Sequence, residues 1–167
     1  MPIATPPAHQ APQPAPPFKA RTRSFEYAQH LAARPVDVMP FLTATGERAW
    51  AKGWNPSVLL PESGPEGEGA VFTTPHTWWV CTEFSAPENG RPARITYAHF
   101  TPGRDLTTIH ITLAPEGEGG TLARVRYAWT GLSGEGNAFV EGQTAAGFEQ
   151  DMREWEADLN ATLRQRK

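Results

Sequence analysis

Apolar and polar positions alternate along most of the chain between residues 70 and 130, and the period changes abruptly after that. A short run over residues 70–74 is separated by Pro75-His76 from residues 77–84, which are rich in the aromatic and β-branched types that suit a pleated surface. Pro87-Glu88-Asn89-Gly90 turns the chain into residues 93–101, and Pro102-Gly103-Arg104-Asp105 turns it again into residues 106–113. There Ile109, Ile111 and Leu113 alternate with Thr108, His110 and Thr112. In the last run Val125, Tyr127 and Trp129 alternate with Arg124, Arg126 and Ala128, the pattern of a strand with one buried and one wet face. Five consecutive antiparallel strands are therefore predicted.

Beyond Gly131-Leu132-Ser133-Gly134 the apolar period becomes helical. Phe148, Met152, Trp155, Leu159 and Leu163 fall on one stripe and Glu149, Asp151, Arg153, Glu156 and Asp158 off it, predicting one long amphipathic helix over residues 135–164. Its first half has little side-chain volume: Gly136, Gly142, Ala145, Ala146 and Gly147 surround Val140 and Gln143, at a cost in helix propensity. Such residues suit close backbone packing or leave room for a ligand. Ahead of the strands, the alternation of Arg21, Arg23, Phe25 and Tyr27 with Thr22, Ser24 and Glu26 predicts a first strand over residues 20–27. Pro35 in a first turn, with Val38, Phe41 and Leu42 at helical spacing, predicts a short helix, a second follows around residues 45–50, and Val58-Leu59-Leu60 is a short strand. Strands followed by a helix predict an α+β domain whose antiparallel sheet, of about seven strands, needs the helix to cover its apolar face.

The 167 residues suffice for one domain over residues 18–167, preceded by a tail over residues 1–17 that holds seven prolines and is expected to be disordered. A net charge of −3, without a basic block, removes the electrostatic reason to expect nucleic acid or an anionic membrane as partner. The single cysteine, Cys81, excludes an intrachain disulfide framework and fits a reducing, cytoplasmic setting. The early prolines interrupt any signal-like apolar stretch, and no window approaches the ~20 apolar residues of a membrane span. A homodimer is compatible with this pattern.

The order strand, two short helices, six strands and a long C-terminal helix resembles the helix-grip fold of the START-like superfamily, also called SRPBCC or Bet v 1-like. Phe41-Leu42-Thr43-Ala44-Thr45-Gly46-Glu47-Arg48-Ala49-Trp50 and Gly53-Trp54-Asn55-Pro56 look like the second-helix region of bacterial members. Gly120-Thr121-Leu122-Ala123-Arg124-Val125 through Thr130-Gly131-Leu132-Ser133 resembles their final strand, as does Trp155 before Leu159. The resemblance covers roughly residues 20–165. It implies a curved antiparallel sheet gripping the long helix, with a hydrophobic cavity between them capped by the short helices. It further implies a small apolar partner, lipid, polyketide or aromatic-like, held without a metal or other cofactor. Two alternatives share the fold: an enzyme of the polyketide cyclase/dehydrase type, and a protein-interaction module of the chaperone-activator kind.

Three residues are catalytic candidates: Glu83, His99 and His110. A hairpin centred between Arg104 and Asp105 would set His99 opposite His110, where two imidazoles exchange protons or hold a metal. No third ligand at a recognisable spacing accompanies them, so no metal is assigned. Glu83 shares the parity of Trp79 and Cys81; facing a cavity, its desolvated carboxyl would be a general acid or a ligand's hydrogen-bond acceptor, and facing outward it is a solvated strand residue. The ligand-binding candidates are Trp50 and Trp54 in the cap, Trp79 and Glu83 on one strand, Tyr127 and Trp129 on the last strand, and Val140, Gln143 and Gly147 in the small-residue half of the helix. Arg124 and Arg126 share a wet face suited to cross-strand charge pairs, and Cys81 reads as a buried small hydrophobe. Gly117, Gly119 and Gly120 join two strands instead of opening a helix, which removes the context a phosphate loop needs.

Overall fold

The computed structural model describes residues 17–165, so the predicted tail lies, but for Pro17, outside the described residues. Strand β1 (Thr22–Leu31) is followed by α1 (Pro35–Val38) and by two 3-10 turns, Met39–Leu42 and Gly46–Ala49. Six strands come next: β2 (Ser57–Leu60), β3 (Val71–Thr74), β4 (Thr77–Ser85), β5 (Ala93–Thr101), β6 (Asp105–Glu116) and β7 (Gly120–Gly131). Two helices, α2 (Gly134–Gly142) and α3 (Ala145–Arg164), close the chain. All seven strands form one antiparallel sheet in the order β1-β7-β6-β5-β4-β3-β2, so the first strand joins the last and both edges come from the N-terminal half. The sheet curves around α3, the helix-grip arrangement. Among the described residues, no helix is long and apolar enough to cross a membrane.

The inner face carries the alternating residues the pattern singles out: Ile95 and Leu113 are fully buried, with Ile109, Ile111 and Val125 beside them. On α3 the stripe Phe148, Met152, Leu159 and Leu163 is buried against that face. The helix is also pinned by polar contacts. Asn160 Oδ1 accepts the N–H of Ala32 at 2.7 Å while its Nδ2 donates to the carbonyl of His30 at 2.8 Å, and Gln29 Nε2 donates to the carbonyl of Met152 at 2.9 Å. On the outer face Trp78, Phe100 and Leu106 are cross-strand neighbours and stay exposed.

Three expectations are corrected. The predicted single C-terminal helix is two: Gln143 and Thr144 are extended (ψ 128° and 151°), and Thr144 restarts the helix by accepting the N–H of Gly147 on its hydroxyl at 3.1 Å. His99 and His110 do not pair. Thr101 faces Asp105 across a three-residue turn with Gly103 at φ 75°, so His99 stands opposite Thr107 and His110 opposite Thr96, on opposite faces of the sheet. Glu83 does not share a face with Cys81, because the pairing steps from Cys81↔Tyr97 to Glu83↔Thr96 and the bulge at Thr82 turns the strand over.

Small residues in α2 serve close packing. A Cβ on Gly136 would lie 1.6 Å from the carbonyl oxygen of Arg104, whereas one on Gly142 meets nothing within 4 Å. Gly136→Ala is therefore expected to lower stability by about 3 kcal/mol, the upper end of overpacking costs, and Gly142→Ala to raise it by about 0.5 kcal/mol through helix propensity. Urea denaturation of both variants checks the contrast.

Candidate ligand-binding cavity

Between the concave face of the sheet, α3 and the capping segment lies a cavity with ≈ 40 Å³ open to the centres of water molecules. The sheet contributes Phe72, Trp79, Tyr97 and Tyr127 as aromatic lining and Leu31, Ile109, Ile111, Ala123 and Val125 as aliphatic lining. Gln29 on β1 adds an amide, and α3 adds Trp155 and Leu159. Leu42, Glu47, Trp50 and Trp54 come from the capping segment. Trp155 is 37% exposed, which puts it at the boundary between cavity and solvent.

The cap is held by the polar tips of aromatic side chains. Trp50 Nε1 donates to the carbonyl of Phe41 at 2.7 Å, Trp54 Nε1 to that of Ala44 at 2.8 Å, and the Tyr97 hydroxyl to that of Leu42 at 2.8 Å. Each ring thus lends its apolar body to the cavity and spends its donor on a backbone acceptor that would otherwise be buried without one. Trp54 meets Trp79 edge-on at 5.4 Å, and Trp50 meets Trp155 edge-on at 5.8 Å. Gly46 lets the turn close, since a Cβ there would lie 1.9 Å from the carbonyl oxygen of Pro40.

Two polar groups in the lining are left over. Neither the Glu47 carboxyl nor the Tyr127 hydroxyl makes a hydrogen bond with another described residue. Burial pushes the Glu47 carboxyl up to about 8, and the nearby Glu66 carboxylate adds to the effect. Tyr127 is pushed well above the ordinary phenol range by burial, then by Glu47 and Asp151. Both residues are part-buried and both line the cavity. At neutral pH Glu47 is a carboxylic acid in an aromatic enclosure.

No protein-family model matches the sequence, and no curated protein matches it. Solved structures do resemble the fold. A hypothetical protein of Helicobacter pylori, jhp0584, aligns with a TM-score of 0.63 at 10% identity, over 84% of this chain and 86% of that one. A point mutant of norcoclaurine synthase from Thalictrum flavum, in complex with a transition-state analogue, aligns with a TM-score of 0.60 at 11% identity, over 90% and 99%. CalU16 of Micromonospora echinospora aligns with a TM-score of 0.54 at 19% identity, over 87% and 83%. The chain has the Bet v 1-like, helix-grip fold.

Within this helix-grip fold, Trp50, Trp54, Trp79 and Tyr127 come together in the cavity lining and the other candidates do not. Trp129 is buried on the inner face of β7 but packs edge-on against Phe25 at 5.9 Å and Phe148 at 5.8 Å, outside the cavity. Val140 is buried under α2, Gln143 donates to the carbonyl of Phe139 at 3.2 Å, and Gly147 sits in the first turn of α3. Glu83 faces outward, 2.6 Å from Arg94 Nε and 3.2 Å from the Thr96 hydroxyl. His110 is on the same outer face, 3.4 Å from Thr96. His99 points inward and stacks on Trp79 at 3.9 Å; burial lowers it to about 4, and its Nδ1 has no partner. Cys81 is buried, which pushes its thiol up to about 11 and makes it a poor nucleophile. Among the described residues, no group of three or more His, Cys, Asp or Glu is arranged to hold a metal.

Sequence reasoning passed over Glu47, Gln29, Tyr97 and Trp155. The one signal for Glu47 was its spacing: Glu47, Trp50 and Trp54 stand at i, i+3 and i+7, a single helical face with an acid among tryptophans. Raising a carboxyl in the folded state makes the native protein bind a proton that the unfolded chain releases above its ordinary value of 4.5, so stability falls as pH rises from about 4.5 to about 8. Glu47→Gln removes that dependence. The variant is expected to gain stability over the parent by about 3 kcal/mol more at pH 8 than at pH 5, read by urea denaturation at both.

Proposed function

We propose that the protein binds one small, ring-sized molecule in the cavity between sheet and α3, by burying its carbon against aromatic side chains and orienting it with Glu47 and Tyr127. The observation that carries this reading is the coincidence of an enclosed apolar space with two polar groups that have no hydrogen-bond partner among the described residues. Ligand sites are mostly apolar with a few placed polar groups, and this lining has that composition. Size favours the aromatic-like end of the expected range over a lipid. An enclosed space with only ≈ 40 Å³ open to the centres of water molecules suits a single ring and not a long acyl chain. Norcoclaurine synthase, whose fold is similar, has been solved in complex with dopamine and hydroxybenzaldehyde, both single-ring molecules. A free, buried Cys81 suits a reducing, cytoplasmic setting.

One observation favours a second reading on the same fold. A carboxyl that titrates near neutrality in a closed site is suited to general acid catalysis, which the cyclase/dehydrase alternative requires. Binding comes first in either case.

Phenol is a suitable neutral, single-ring probe. Isothermal titration is expected to show saturable binding of one phenol per chain. Ala123→Leu fills the cavity from β7 and should weaken that binding at least about tenfold while leaving stability equal or higher, as cavity-filling changes do. Phenol binding that is equally strong in the Ala123→Leu protein would sink the cavity reading.

A further inference from the structure

We propose, on the reading that the cavity is a ligand site, that its ligand carries a small ammonium group, held by the Glu47 carboxylate within the surrounding aromatic rings. Charge is the first reason. Glu47 is the one charged residue type in the lining, which contains no Lys, Arg or His among the described residues. The titratable groups that face it add no positive charge. Glu66, from the loop before β3, is of like sign and accepts the backbone N–H of Thr45 at 3.1 Å, while Tyr97 on β5 and Tyr127 on β7 are neutral phenols. An anionic ligand would meet the Glu47 carboxyl and no counter-charge in the lining.

The rings are the second reason. Trp50, Trp54, Trp79, Trp155, Tyr97 and Tyr127 line the same space, and aromatic faces attract cations most strongly where water is excluded. An organic cation is stabilised by this lining and supplies the missing partner for the acid, whereas a neutral hydrogen-bonding ligand would be served as well by a glutamine. Size is the third. The small space that suits a single ring also suits a methylated ammonium of similar bulk.

A cation binds the ionised acid, and Glu47 holds its proton at neutral pH in the free protein. Binding at pH 7 therefore releases close to one proton, and affinity rises with pH until Glu47 is ionised, near 8.

The test compares tetramethylammonium with tert-butanol, five heavy atoms each, by isothermal titration of the full chain at pH 7 and pH 9 in buffers of different ionisation enthalpy. The cation is expected to bind at least about tenfold more tightly than the alcohol at pH 9, about tenfold more weakly at pH 7 than at pH 9, and with proton release at pH 7. Glu47→Gln is expected to lose the preference for the cation, the pH dependence and the proton release. Equal binding of the two probes, a preference that survives in Glu47→Gln, or binding of the cation without pH dependence overturns the inference. If only tert-butanol binds, the ammonium inference fails and the cavity reading stands; if neither binds, the inference fails, and the phenol titration judges the cavity reading separately.

Discussion

The arrangement depends on how the free edge of β1 is closed. Strand β1 pairs only with β7, so half of its backbone groups point away from the sheet, and an open edge of that kind invites pairing with another chain. Helix α3 takes this role. Glu156 accepts the N–H of His30 at 2.9 Å, and Asn160 bridges the N–H of Ala32 and the carbonyl of His30. These bonds fix the helix in height and rotation by polar contacts as well as by its apolar stripe. A helix fixed over β1 cannot also cover the middle of a curved sheet seven strands wide. The uncovered part falls to the capping segment, and the cavity is the space where the two covers meet.

That geometry explains why the cap consists of tryptophans. A short segment with two 3-10 turns has too few side chains to close a wide opening with aliphatic residues, whereas Trp50 and Trp54 each reach far and anchor their own indole N–H to the segment's backbone. The tie to Tyr97 on β5 then fixes the cap to the sheet. Aromatic rings in edge-on contact leave angular gaps that aliphatic packing would fill. The cavity's shape thus follows from the chemistry of its closure.

Period-two alternation was enough to read five strands and the last helix's stripe, because each strand presents one face to the core. Three features escaped for physical reasons. The bulge at Thr82 adds one residue to β4, and nothing in Val80-Cys81-Thr82-Glu83 distinguishes an extra residue from a regular one, so Glu83 has the parity of Cys81 without sharing its face. The turn at Pro102-Gly103-Arg104 was found but its length was not, and a hairpin's register shifts with a single residue, which separated His99 from His110. The break between α2 and α3 left a local signal in Gly142-Gln143-Thr144, a weak helix end followed by a capping hydroxyl, but the continuing 3.6 period obscured it. Glu47 was hardest to see. In Gly46-Glu47-Arg48 a lone acid has the local pattern of a solvated turn, and the cavity it lines is built mostly from strands and a helix far from it in sequence.

The position of that acid is difficult to reconcile with a role in stability. A buried carboxyl without a partner is destabilising, and an unfilled space beside it forfeits the dispersion contacts that side chains there would make. Either condition is relieved by a common substitution, a leucine or methionine at position 47 or a larger side chain at Ala123. A loose cap would account for both, but this cap is tied through the carbonyls of Phe41, Leu42 and Ala44 to its own indoles and to the sheet. Local rules are broken where function requires it. Here a void and an unsatisfied acid occur together, inside a rigid aromatic frame, and a ligand that fills the one and pairs with the other removes both costs at once.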